Sequence, residues 1–239
     1  MLAGHRRGNP GRDGAVITLV CLDMAGTTVD DAGTVEDAFA VAMESEGIAA
    51  GTDRFDRALE YVRLTMGQSK IAVFTALFDG DGPRAEQANK SFEVAYQTLI
   101  GAGRVAALPG AEAAIASLRE AGRKVALTTG FSPATRDAIL DAVGWRDLVD
   151  LVVSPGEGGR GRPFPDMILH SLLTLGTEAV ADIAVAGDTT SDLLAGHRAG
   201  ASIVAGVLTG AHDAATLATA PHTHILPNVT DLAELILAD

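Results

Sequence analysis

At 239 residues the chain can hold one large domain, or a core domain with a smaller insert, and 47% hydrophobic content arranged in short runs reads as globular. No run approaches the roughly 18 apolar residues that span a bilayer. A net charge of −13 argues against any general affinity for nucleic acid or an anionic membrane surface. Residues 1–14 carry Arg6, Arg7 and Arg12 without an apolar centre, so they read as a flexible tail and not as a secretory signal. The single cysteine, Cys21, falls inside an apolar run and has no disulfide partner, and a cytoplasmic location is the default expectation.

The first element is the aliphatic run Val16 to Leu22, short enough for a strand covered on both faces. It ends abruptly at Asp23, and Gly26 permits a tight turn beside that carboxylate. Residues 33–104 then show four helical patterns: Thr34 to Gly47, Arg54 to Thr65, Ser69 to Phe78 and Arg84 to Gly103. No strand separates them, so this stretch is expected to be an all-helical cap inserted into the core of residues 15–32 and 105–239. Ala32-Gly33 and Arg104 to Pro109 would be its hinges, and a cap of this kind can open and close over a site.

From residue 106 onward, helices and strands alternate. Gly110 to Ala121 predicts a helix and Lys124 to Leu127 a strand, which ends in the polar turn Thr128-Thr129-Gly130. Ser132 and Pro133 open a helix that runs to Val143. Leu148 to Val153 predicts a strand, followed by a loop rich in Gly and Arg over 154–163 and a helix from Asp166 to Leu175. Ile183 to Ala186 is a strand ending near Asp188, followed by a helix from Ser191 to Ala199 and a strand from Ser202 to Val207. Helices over Ala211 to Ala218 and Val229 to Leu237 close the chain. Repeated β-α units imply an α/β fold: a doubly wound parallel sheet, Rossmann-like, with helices on both faces. Asp23, Thr128, Arg162 and Asp188 all gather where strands end, which places them on one rim, where open α/β sheets bind ligands.

These residue types suit a small anion. Asp23 can serve as nucleophile or metal ligand, Thr128 offers a hydroxyl, and Gly130 leaves N–H groups open at a helix start. Arg162 supplies a forked cation suited to phosphate. Asp188 and Asp192, in GDTTSD, are hard oxygen ligands of the kind that suit Mg²⁺. With these four motifs in order over about residues 16–237, the sequence resembles the haloacid dehalogenase superfamily of phosphoryl-transfer enzymes. The resemblance implies that Asp23 attacks phosphorus to form an aspartyl phosphate and that Thr128, with Thr129 and Gly130, binds phosphoryl oxygens. It further implies that Asp23, the Ala25 carbonyl, Asp188 and Asp192 hold Mg²⁺.

Ordinary phosphatases of that superfamily carry a second Asp, the general acid for the departing alkoxide, where this chain has Ala25. Losing such an acid costs on the order of 10²–10⁴ in rate for an ester. A carbanion leaving group needs no proton there if a protonated imine absorbs its electrons, and an imine requires a lysine and a carbonyl substrate. Of three lysines, Lys124 opens a strand at the end away from the rim and Lys90 sits among polar cap residues. Lys70 follows Met66-Gly67-Gln68-Ser69 at a helix start. By position alone it is a surface lysine in a first turn, yet the partial positive charge of a helix N-terminus would help depress its pKa. The segments MGQSKI, DMAGT, TTGF, GRPFP and GDTTSD resemble the phosphonatase branch of the superfamily. That resemblance implies a Schiff base on Lys70, with Met66 beside it, phosphonate binding by Arg162, and a homodimer formed through the cap. The branch's histidine, tyrosine and cysteine are here Val73, Phe131 and Gly33, and none of the six histidines lies within residues 33–104. His212 is the one histidine placed to reach the rim. The expected activity is hydrolysis of a carbon–phosphorus bond in a small carbonyl phosphonate, and the rival is a phosphomonoesterase of the phosphoglycolate phosphatase kind.

Overall fold

The computed structural model describes residues 16–238, and the tail expected over residues 1–14 lies outside them. Its strands are β1 (Leu19–Asp23), β2 (Val29–Asp30), β3 (Ala106–Ala107), β4 (Lys124–Thr128), β5 (Leu151–Val153), β6 (Ile183–Gly187), β7 (Ile203–Val207) and β8 (His224–Leu226). Six of them form one sheet in the order β5-β4-β1-β6-β7-β8, with every pair parallel. β1 is central because all five of its residues are buried, which suits a strand flanked and covered on every side. Its side chains divide by the two-residue period of a strand. Val20 and Leu22 join the large core with Ile115, Leu118, Leu232 and Ile236 on one face, while Leu19 and Cys21 pack with Ile168, Ala195 and Ala199 on the other. Those contacts place α5 (Ala111–Glu120) and α10 (Val229–Leu237) against one face, and α7 (Asp166–Leu175) and α8 (Thr190–Ala199) against the other.

Four helices interrupt the core: α1 (Thr34–Ser45), α2 (Asp53–Leu64), α3 (Lys70–Leu77) and α4 (Gly82–Gly101). Thr52 and Asp81 cap α2 and α4 by accepting from Phe55 N and Arg84 N. The four are held together by rings. Phe39 of α1 stacks on Phe74 of α3 at 5.9 Å between centroids and meets Phe55 of α2 at 6.2 Å, while Phe74 meets Phe92 of α4 at 6.1 Å. Such pairs contribute about 0.5–1.5 kcal/mol each beyond burial of their area. The cluster continues into the sheet domain through Phe131, which lies just before α6 (Pro133–Val143) and sits 4.6 Å from the Tyr96 ring. Where the chain enters the four helices, Ala32 and Gly33 both take left-handed backbone conformations, and β2 and β3 pair antiparallel as a short tie across the entry and exit strands.

Several elements differ from expectation. The last segment of the predicted strand Leu148 to Val153 alone is extended, as β5, because Trp145 is buried and its N–H bonds to Leu140 O, so the chain turns through residues 145–150. The helix expected over Ala211 to Ala218 shrinks to α9 (Ala214–Leu217), since Ala211 N bonds to the Asp188 carboxylate and His212 N to the Asp188 carbonyl, which draws that segment to the rim. β8, which follows α9, was not predicted: three half-buried residues carry no readable period. The hinge pair β2 and β3 is equally short and was also missed.

Candidate active site

The site forms where β1, β4 and β6 end. Parallel register sets Asp23 directly against Thr128, and the turn that follows β1 folds back on Met24 O through Thr27, Thr28 and Val29 N–H groups. Gly26 has φ +85°, and a Cβ on it would collide with the Asp188 carboxylate, so this turn requires glycine. Asp188, one residue beyond β6, accepts from Ala211 N at 2.7 Å and from Thr27 Oγ1 at 3.3 Å. α8 begins with a capping box: Thr189 Oγ1 and Asp192 bond reciprocally, and the Asp192 carboxylate accepts from Thr189 N at 3.1 Å.

Arg162 ties these parts together. Its side chain is 3% exposed; Nη2 pairs with Asp23 Oδ1 at 2.6 Å and Nη1 with Asp192 Oδ1 at 2.7 Å. Nη2 also donates to Thr128 Oγ1 and Nη1 to Gly67 O, each at 3.3 Å. Burial works against its charge, but Asp192, Asp23 and Asp188 outweigh that and hold its pKa up. Burial pushes Asp23 up to about 7, with Arg162 opposing and Asp192 adding to the rise. Burial also holds Asp188 well above the usual carboxylate range, and the Asp23 and Asp192 charges add to it.

The cap closes over this rim. The loop before α3 lies so near the turn after β4 that a Cβ on Gly130 would come within 2.5 Å of Gln68 O and 2.8 Å of Gly67 O. Beneath the loop is a cavity of about 300 Å³, lined by Asp23, Ala25, Met66, Lys70, Arg162 and Asp188, with Thr129 and Gly130 also at its wall. Lys70 is the first residue of α3, and its Nζ lies 5.2 Å from the Phe131 ring centroid and 5.9 Å from that of Phe92. No described carboxylate pairs with it. Burial is the leading cause that pushes Lys70 down to about 8; Asp31, then Asp23, resist, and Arg162 adds to the fall. Burial, together with the charges around it, governs this amine.

Most of the sequence-predicted residues thus meet at one cavity, whereas Thr128 and Asp192 stand behind Arg162 in the wall. The donor set bears on Mg²⁺. Asp23 and Asp188 face the cavity with Ala25 as buried acids in excess of nearby cations, a setting that suits a hard divalent ion. Asp192 is turned to Thr189 and Arg162, and among the described residues no three potential ligands already converge as a metal cluster. The departures are also explained. Val73 is buried in the apolar cap interior, Gly33 lines the cavity at the start of α1, and Phe131 forms the floor under Lys70. His212 accepts from Thr190 N at 3.1 Å and lies 3.3 Å from the Arg63 carbonyl, where the cap meets the core. Sequence reasoning missed Asp31, in the cavity wall, and Tyr96, whose buried hydroxyl has no described partner. The doubled acid Asp30-Asp31 just before the hinge was the one available signal for the first.

A doubly wound sheet with an aspartate ending β1 and further aspartates after β6 defines a class. The sequence profile described as haloacid dehalogenase-like hydrolase matches residues 17–200. The chain belongs to this family and is a hydrolase. It is 28% identical over 206 residues to a phosphonoacetaldehyde hydrolase of Bacillus cereus, covering 82% of this chain and 78% of that one. It is equally 28% identical over 197 residues to a protein of Dickeya dadantii named "Probable phosphatase IndB", covering 81% and 82%. Among solved structures, a phosphonoacetaldehyde hydrolase-like protein from Oleispira antarctica superimposes with a TM-score of 0.80 at 22% identity, over 94% of this chain and 92% of that one, a likeness of fold. Among the described residues no helix is long and apolar enough to cross a membrane.

Proposed function

We propose that this hydrolase cleaves the carbon–phosphorus bond of a small carbonyl phosphonate of the phosphonoacetaldehyde type. The observation that carries the reading is one cavity with Asp23 on its core side, Lys70 on its cap side and Ala25 where an ester-cleaving acid would stand. Lys70, poised near neutrality by burial, condenses with the carbonyl so that the carbon beside phosphorus can depart as an enamine. Asp23 attacks phosphorus, and Arg162 with the Thr129 and Gly130 region holds the phosphonate oxygens. Asp23, Asp188 and the Ala25 carbonyl would hold Mg²⁺, which when bound neutralises charge on the phosphoryl oxygens and on the carboxylates. Water then releases phosphate from Asp23.

Phosphate release from phosphonoacetaldehyde, with borohydride reduction in the presence of substrate, tests this. A two-carbon adduct on Lys70 and loss of turnover in Lys70→Arg are expected. Brisk hydrolysis of phosphoglycolate with no adduct would instead establish the phosphomonoesterase reading, which the phosphatase-named relative favours.

A further inference from the structure

Imine formation needs a group that carries a proton between the amine and the carbonyl oxygen, and the position after Lys70 that would bear a histidine holds the buried, inert Val73. The cavity wall contains five carboxylates: Asp23, Asp30, Asp31, Glu36 and Asp188. Asp23 is engaged by Arg162 and Asp188 by Ala211 N and Thr27, both at the phosphorus end. Glu36 is clamped by two bonds of 2.7 Å from Arg63, and Asp30 accepts from Ala32 N at 2.9 Å on the exposed side of the hinge. Asp31 remains. It is half-buried, forms no ion pair with a described cation, and accepts only backbone N–H groups at the start of α1, with Gly33 N at 3.3 Å. Asp31 and Lys70 line the same cavity, and of the charges around Lys70 that of Asp31 acts on it most strongly, ahead of Asp23 and Arg162.

We infer that Asp31 is the proton carrier for Schiff-base chemistry at Lys70, a role that rests on the carbon–phosphorus reading of this site. One proton closes the sequence. Asp31 takes it from the Lys70 ammonium, and the freed nitrogen pair forms the C–N bond as the carbonyl π pair moves to oxygen. Asp31 gives its proton to that oxygen and takes one from the new ammonium, leaving a neutral carbinolamine. The nitrogen pair then forms C=N as the C–O bond breaks, and the departing oxygen leaves as water with the Asp31 proton. The products are an iminium on Lys70 and a restored Asp31 carboxylate, so atoms and charge balance without an outside reagent. Burial raises the Asp31 pKa, which helps it hold the proton between steps.

The test is the rate at which phosphonoacetaldehyde with borohydride marks Lys70, measured by intact mass at neutral pH in wild type, Asp31→Asn and Asp31→Glu. A carrier predicts a fall of about 10²-fold in Asp31→Asn, with partial return in Asp31→Glu. A residue acting by charge alone predicts the reverse, because removing its negative charge leaves more of Lys70 neutral and marking speeds up. Marking in Asp31→Asn as fast as wild type, or faster, overturns the inference while leaving the carbon–phosphorus reading intact. No adduct in wild type overturns both. If Asp31→Asn does not fold, Asp31→Glu decides at a pH above the Lys70 midpoint, where the amine is already neutral: slower marking there supports the carrier and an unchanged rate refutes it.

Discussion

The aromatic floor beneath Lys70 makes a quantitative prediction. With Lys70 at about 8 in place of the ordinary 10.5, about 9% of the amine is neutral at pH 7 against about 0.03%, roughly a 300-fold gain in the reactive form. Burial is the leading cause of that shift, and the ring centroid of Phe131 lies 5.2 Å from Nζ, nearer than that of Phe92 at 5.9 Å. Phe131→Ala should hydrate it and return the midpoint toward the ordinary value, with the rate of adduct formation at neutral pH falling by one to two orders of magnitude, within that roughly 300-fold ceiling. Only three lysines are present, so protein labelled with 13C at lysine Cε gives three signals, and Lys70→Met identifies the one of interest. Titration should place the Lys70 midpoint near 8 in wild type and higher in Phe131→Ala. Imine chemistry should therefore gain with rising pH up to that midpoint, since the deprotonated amine reacts. A wild-type midpoint above about 10, or one indifferent to Phe131, would refute the argument from burial.

Three further outcomes follow from the geometry. Gly130→Ala should lift the cap loop, because its methyl would meet two backbone carbonyls that cannot swing aside; phosphate release should drop at least about tenfold, with a loss of about 1–3 kcal/mol in urea unfolding. Ala25→Asp restores an acid beside the nucleophile, and hydrolysis of simple phosphate monoesters should rise by about 10²-fold in a phosphate-release assay. Tyr96→Phe removes a buried hydroxyl that has no described partner, so the variant should be more stable to urea by about 1 kcal/mol.

Much of the catalytic core was legible because each key acid interrupts an apolar run. Leu22 to Asp23 and Gly187 to Asp188 are changes of character that only a strand end at a polar rim accommodates. The four cap helices were legible as helical stretches to within a few residues, and Ser132 caps α6 where expected, whereas the caps Thr52 and Asp81 were not singled out. What escaped depends on distance along the chain. Arg162 reaches Gly67, 95 residues away, and nothing local to either indicates that a cap carbonyl will share the guanidinium with Asp23 and Asp192. The same holds for Tyr96, which reads as one more apolar position of α4 until its ring is found 4.6 Å from Phe131. α9 was overextended because helix propensity in an alanine-rich stretch yielded to hydrogen bonds offered by Asp188.

The Arg162 fork also bears on how so acidic a protein admits an anion. Asp23 occupies the fork, so on the function proposed above an incoming phosphonate would be traded for a carboxylate and not drawn in by open positive charge. On that reading, the exchange would free Asp23 for attack only once a phosphonate-like group had taken its place on Arg162.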